Sequence, residues 1–144
     1  MKLAVPAMIA AIAAFAVISV VREGAGTAPT PEVFAGSTSL AAAVQESEAT
    51  GKPVFAFFTA EWCGPCQSLK KNTLSDARVA GFLDEHTVPV YIDIDEDRAA
   101  ATQFQISGIP TSIILQDRRV VARMTSYAGP DEYLEFLESG VKSN

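Results

Sequence analysis

The stretch "VFAFFTAEWCGPCQSL", residues 54–69, sets the architecture, because an apolar run leads directly into both cysteines of the chain, Cys63 and Cys66. The unbroken apolar residues 54–58 are typical of a strand that is buried on both faces. The residues from Cys66 onward have a helical pattern. The stretch therefore predicts a strand, a turn through Gly64 and Pro65, and a helix, with the cysteine pair at the junction.

Strand and helix patterns alternate along the rest of the chain. Residues 40–48 suit a helix with Ser39 as its N-cap, and further helical patterns follow the cysteines, occupy residues 77–86 and 96–104, and begin again at Pro130. Strand patterns cover 88–95, 111–117 and 119–124, the last two forming a hairpin. The order β-α-β-α-β-β-α with a leading helix predicts an α/β fold, a small mixed sheet with helices on both faces.

The N-terminal run, residues 3–21, carries no charge and ends before Arg22 and Glu23. Its length approaches the roughly 20 apolar residues that span a membrane, although its alanines and Pro6 make it only moderately hydrophobic. We expect residues 1–23 to be a signal peptide or a membrane anchor, residues 24–38 a linker, and residues 39–144 the folded domain. Both alternatives for 1–23 place that domain outside the cytoplasm.

Charge and composition exclude several classes of function. The net charge of −6 argues against a nucleic-acid partner. A zinc site at the cysteines would need two more ligands, and the one histidine, His86, has no suitable neighbour. The acidic run at residues 93–98 lacks the glycine and terminal glutamate of a calcium loop. We therefore expect no metal and no cofactor.

The cysteine pair has two remaining interpretations, a structural disulfide and a redox centre. A disulfide that closes so short a loop removes little entropy from the unfolded chain, so a structural role is weakly supported. At a strand–helix junction, free backbone N–H groups and the helix dipole stabilise a thiolate. We expect Cys63 to be exposed and to attack a substrate disulfide, and Cys66 to lie shielded one turn inside the helix and resolve the mixed disulfide.

The motif "AEWCGPC" resembles the active-site motif of the thioredoxin family, and "SGIPTSIIL" from Ser107 is similar to that family's second active-site segment. The resemblance implies a thioredoxin fold over roughly residues 40–139. It also implies that Pro110 follows a cis peptide bond, that Ile109 and Thr111 flank it at the substrate-docking surface, and that Trp62 lies at the rim. Gly64 and Pro65 would complete the active-site loop.

More narrowly, residues 51–83 are similar to the C-terminal domain of membrane thiol:disulfide interchange proteins. That similarity implies an exported thiol:disulfide oxidoreductase that acts as a reductase on protein disulfides. In an oxidising compartment such an enzyme needs an electron donor, and a membrane partner is the natural supplier.

Two positions depart from the family pattern. The family carries a buried Asp six residues before the first cysteine and a Lys on the neighbouring strand, where this chain has Phe57 and Tyr91. Proton transfer at Cys66 then needs water or another group, for which Glu61 is a candidate. Loss of the buried carboxylate should also favour the thiolate, which predicts a pair more oxidising than a standard thioredoxin.

Two further functions stay open at the level of sequence. The fold is also suited to a client-binding or chaperone-like module with little redox turnover, an alternative that Phe57 and Tyr91 keep in view. Copper delivery through the thiolates is a third interpretation, but the chain lacks the additional His and Met ligands that such sites use. The intact Cys63, Cys66 and Pro110 favour the redox enzyme.

Overall fold

The structure, a computed structural model, describes residues 27–142 of the 144-residue chain. The predicted signal peptide or anchor, residues 1–23, lies outside the described residues. Within the described range, no helix combines the length and the hydropathy needed to cross a membrane.

The central strand β1, Val54–Thr59, is the apolar run that precedes the cysteines, and all six of its residues are buried. It pairs in parallel with β2, Val88–Asp93, and antiparallel with β3, Thr111–Gln116. Strand β4, Arg119–Thr125, follows β3 through a hairpin, giving the order β2-β1-β3-β4. This four-stranded mixed sheet confirms the predicted fold class.

Several of the helices begin directly after a capping side chain. Helix α1, Leu40–Thr50, starts at Ser39, whose Oγ accepts a hydrogen bond from the Ala42 N–H at 3.2 Å. Gly51 ends it in the left-handed region, at φ 75°. Helix α3, Ala77–His86, starts at Asp76, whose carboxylate accepts from the Arg78 N–H at 2.9 Å. Ser39 therefore caps α1, as the sequence predicted.

The helix after the cysteines is not a single regular α-helix. Helix α2 spans Gly64–Leu69 and continues as a π-helix, Lys70–Leu74. Single π turns inside helices are rare and occur often at functional sites. The remaining helices are α4, Arg98–Gln103, and α5, Pro130–Lys142.

Helices cover both faces of the sheet, as predicted. On one face, α2, α3 and α5 pack on the sheet through a core that includes Leu69, Val79, Leu83, Tyr133 and Leu137. On the other face, α1 and α4 contribute Ala43 and Ala100 to a second core with Val54, Ala56, Val88, Val90 and Ile113. Strand β1 is thus packed between the two cores. The turn that carries the cysteines follows directly after its C-terminal end.

The segment before α1 differs from the expected linker. It contains a 3-10 helix, Glu32–Phe34, and Phe34 is only 5% exposed. The Phe34 ring packs against Phe55 and Phe57 with centroids 6.2 and 6.0 Å apart. Ser37 then forms a parallel bridge with Val90 of β2. The described part of the predicted linker is thus packed into the fold; the division of the whole chain into domains stays a prediction.

Candidate active site

Cys63 and Cys66 form a disulfide at the junction of β1 and α2, with their Cα atoms 5.2 Å apart. Cys63 is the N-cap of α2, and its Sγ accepts a hydrogen bond from the Cys66 N–H at 3.2 Å. Pro65 lies in the first turn of α2, where backbone N–H groups have no acceptor within the helix. The lack of an N–H in proline therefore costs no helical hydrogen bond. A donor already directed at Cys63 Sγ would stabilise negative charge there once the disulfide opens.

The pair is more enclosed than the sequence indicated. Cys63 is 4% exposed and Cys66 is 0% exposed. The predicted order of exposure is correct, but the expectation that Cys63 is exposed is wrong for this disulfide-bonded form. Ile94 and Ile109 pack against the pair together with Ala60 and account for the enclosure.

The Ile109–Pro110 peptide bond is cis, as the resemblance predicted. Ile109 lies against the cysteine pair, and its backbone N–H and C=O form no hydrogen bond with any other described residue. Thr111 begins β3 and its Oγ1 donates to the Gly108 C=O at 2.7 Å. An unpaired backbone segment beside a disulfide is suited to pair with an extended chain.

Trp62 is 69% exposed beside the cysteines, which rules out a core position. Its Nε1–H donates to Asp95 Oδ2 at 2.7 Å, so the indole has a fixed orientation at the rim. Gly64 and Pro65 are also exposed. Trp62, Gly64 and Pro65, which belong to the active-site motif, are therefore the exposed residues around the disulfide.

Gln67 connects the active-site turn to the N-terminal segment. Its Nε2 donates to the carbonyls of Ala60 and Glu61 at 3.2 and 3.0 Å, and its Oε1 accepts from the Ala28 N–H at 2.9 Å. The Glu61 side chain itself is exposed. Gln67 was not identified from sequence, because its role depends on a contact 39 residues away along the chain.

Lys70 is a second residue that the sequence analysis missed. It is 3% exposed, and its Nζ donates to the Ala28 C=O at 2.8 Å and to Tyr91 Oη at 3.4 Å. Burial lowers the Lys70 pKa, while the charges of Glu61 and Asp93 act in the opposite direction. Burial also raises the pKa of Tyr91. The one available signal was that Lys70 follows Cys66 by four residues, the spacing of neighbours on one helix face.

Residues 27–142 contain no cluster of three His, Cys, Asp or Glu side chains that is suited to hold a metal ion. The chemistry that this site offers is thiol–disulfide exchange, through two neighbouring sulfurs and the backbone around them.

Comparison with known proteins agrees with this geometry. Residues 40–140 match the family model described as a thioredoxin-like domain. A thioredoxin-like protein of Synechocystis, slr0233, is 38% identical over 87 residues, which cover 60% of this chain and 80% of that protein. The thiol:disulfide interchange protein DsbD of Ralstonia nicotianae is 31% identical over 100 residues, 66% of this chain but 16% of that much longer protein.

Solved structures show the same fold. A thioredoxin from Thermus thermophilus superposes with a TM-score of 0.64 at 25% identity, covering 69% of this chain and 82% of that one. A DsbH oxidoreductase superposes with a TM-score of 0.69 at 21% identity, covering 82% and 89% of the two chains, and at that identity the likeness concerns the fold alone. The chain belongs to the thioredoxin-like domain family of thiol:disulfide oxidoreductases.

Proposed function

We propose that the protein is an exported reductase of protein disulfides, in which Cys63 is the nucleophile and Cys66 the resolving cysteine. The observation that carries this proposal is the Cys63–Cys66 disulfide beside the unpaired backbone of Ile109. An extended substrate that pairs with that backbone brings its own disulfide against the cysteines. The similarity to proteins whose names describe thiol:disulfide interchange supports the same reaction.

The reaction begins from the reduced pair. The Cys63 thiolate attacks one sulfur of the substrate disulfide, and the other substrate sulfur leaves as a thiolate that takes a proton from water. Cys66 then gives its proton to water and attacks Cys63 Sγ, which breaks the mixed disulfide. The second substrate sulfur leaves as a thiolate and takes a proton from water. Two electrons pass from the pair to the substrate, and the Cys63–Cys66 disulfide is the product.

Returning the pair to the dithiol requires two electrons from a donor, which we propose is a membrane protein. The uncharged run at residues 3–21 supports export, and an uncleaved run would hold the domain at the membrane surface. The exposed Trp62 and the exposed loop residues Gly64 and Pro65 would form the docking surface for both the substrate and the donor. No cofactor enters this scheme.

The test is the turnover of a small model disulfide and of a disulfide-bonded protein, with the Cys63–Cys66 reduction potential measured in glutathione buffers. The expected result is turnover that Cys63→Ser abolishes, with a potential that permits net reduction of protein disulfides when dithiol is supplied. Oxidation of reduced proteins instead would reject the reductase direction. Negligible turnover at every redox poise would favour a client-binding module in its place.

A further inference from the structure

Lys70 has an unusual position for a lysine, on the active-site helix and almost fully buried. Its backbone N–H donates to the C=O of Cys66, so the two residues lie one helical turn apart. In helices, long side chains lean back toward the N-terminus, over the preceding turn. The Lys70 side chain is therefore expected to lean toward the turn that carries the cysteine pair.

The charge of this ammonium group is not neutralised by an ion pair within residues 27–142. Its hydrogen-bond acceptors are the Ala28 carbonyl and the Tyr91 hydroxyl, and it lies 5.6 Å from the centre of the Tyr91 ring. Glu61, before the cysteines, and Asp93, at the end of β2, are the carboxylates whose charges reach it. Burying a charge whose hydrogen-bond acceptors are neutral costs free energy. A neutral donor in this position would make the same structural hydrogen bond without that cost.

We propose that Lys70 is a positioning residue of the disulfide exchange, and that its buried positive charge stabilises the thiolate form of the Cys63–Cys66 pair. This inference rests on the proposed function, since it concerns the step in which Cys66 gives its proton to water and attacks Cys63 Sγ. The negative charge forms on Cys66, one helical turn before Lys70, and the Lys70 side chain leans back toward that turn. A nearby positive charge lowers the free energy of the thiolate and leaves the neutral disulfide unaffected.

Removal of a buried carboxylate and addition of a buried cation act in the same direction. Phe57 stands where the family has a negative charge, and Lys70 adds a positive charge 5.6 Å from the centre of the Tyr91 ring, which Phe57 also contacts. Both changes favour the reduced pair as thiolate, and both therefore make the couple more oxidising. In the family pattern the buried lysine lies on the strand next to β1. In this chain that strand carries Tyr91, and the buried positive charge comes from the active-site helix.

The experiment compares the reduced full chain with Lys70→Gln, Lys70→Met and the control Lys71→Met, whose lysine is adjacent but exposed. Lys70→Gln removes the charge and keeps a hydrogen-bond donor for the Ala28 carbonyl, so it carries the test if Lys70→Met does not fold. Thiolate formation is followed against pH by ultraviolet absorbance and by the rate of alkylation with iodoacetamide. The Lys70 substitutions are repeated in Cys63→Ser and Cys66→Ser variants. The single cysteine whose thiolate midpoint then shifts is the one that Lys70 influences.

The expected result is that both Lys70 variants raise the midpoint of thiolate formation by about one pH unit or more, while Lys71→Met leaves it in place. Above that midpoint, the equilibrium with glutathione should shift about tenfold toward the disulfide, which is about 30 mV for a two-electron couple. Unchanged midpoints in Lys70→Gln and Lys70→Met, or an equal shift in Lys71→Met, would overturn the proposal.

The two proposals fail in different ways. Wild-type protein that shows no turnover, but whose thiolate midpoint depends on Lys70, would reject the reductase while the electrostatic coupling stands. Wild-type protein that turns over normally, with midpoints that do not depend on Lys70, would reject the coupling and leave the reductase in place.

Discussion

Phe57 lies directly opposite Tyr91 in the parallel pairing of β1 with β2, and their ring centroids are 5.9 Å apart in an edge-on arrangement. These are the two positions at which the sequence departs from the thioredoxin pattern. At these positions aromatic packing replaces the buried pair of opposite charges that the family has. The interior of the protein is therefore apolar at Phe57. The Tyr91 hydroxyl accepts a hydrogen bond from Lys70 Nζ of the active-site helix at 3.4 Å.

Cys66→Ser is expected to trap the reaction at the mixed disulfide. Cys63 keeps the hydrogen bond from the residue-66 backbone N–H, so it still attacks, but no second thiol is present to resolve the product. A covalent adduct with a disulfide-bonded protein should accumulate and be visible by non-reducing electrophoresis and mass spectrometry.

Cys63→Ser is the matched control for that trap, because it keeps one cysteine in the motif at a fully buried position. It should give no adduct. Adduct formation by Cys63→Ser and not by Cys66→Ser would reverse the assigned roles of the two cysteines.

Trp62→Ala is expected to lower kcat/KM for a protein disulfide by about tenfold, because truncating an aromatic side chain that packs against a docked partner costs about 1–2 kcal/mol. A small model disulfide, which does not reach the rim, should be reduced almost as fast as by the wild type. Val121→Ala, which shortens an exposed apolar side chain on β4, serves as the control. Equal losses on both substrates would place Trp62 in the chemical step.

Phe34→Ala is expected to lower the free energy of unfolding by about 3 kcal/mol, the usual cost of deleting a buried phenylalanine ring. Phe34 contacts Phe55, Phe57 and Tyr91, so its loss leaves a cavity beneath β1 and β2. Glu32→Ala, in the same 3-10 helix but exposed, should change stability by less than about 0.5 kcal/mol. Urea unfolding of both variants measures the difference, and similar values would show that the segment is not part of the cooperative fold.

The stability of the oxidised protein should depend on Lys70 at alkaline pH. Burial holds the Lys70 pKa in the folded state below its usual 10.5, so between those two values the unfolded chain binds more protons than the folded one. Stability conferred through this group therefore rises with pH across that window. Urea midpoints of wild type minus Lys70→Met should increase as the pH rises, whereas wild type minus Lys71→Met should stay level. A constant difference for Lys70→Met would contradict the lowered pKa.

Much of the fold could be predicted from local pattern. The unbroken apolar run made β1 recognisable, because such a run is typical of a strand covered on both faces, and Ser39 marked a helix start. The adjacent strand patterns at 111–117 and 119–124 indicated the hairpin. The motifs also led to the cysteine pair and to the cis bond before Pro110.

The rest depended on contacts that no local pattern encodes. Phe34 is a single aromatic residue among Gly, Pro and Thr, without the periodicity that predicts burial. It is buried because β1 presents Phe55 and Phe57 to it. Lys70 looked like an ordinary solvated lysine next to Lys71. A π turn and the carbonyl of Ala28, 42 residues earlier, bury it.

The bridge between Ser37 and Val90 has a consequence for behaviour at high concentration. An exposed edge strand invites another chain to add to the sheet, and this sheet has two such borders. The segment that carries Ser37 occupies part of the β2 border. Within residues 27–142 no strand pairs with the outer edge of β4. That edge strand carries Arg119 and Arg123 beside its exposed valines, so two copies meeting there would bring like charges together. Detachment of the N-terminal segment would expose the edge of β2. Addition of strands from other copies of the chain would then begin at β2.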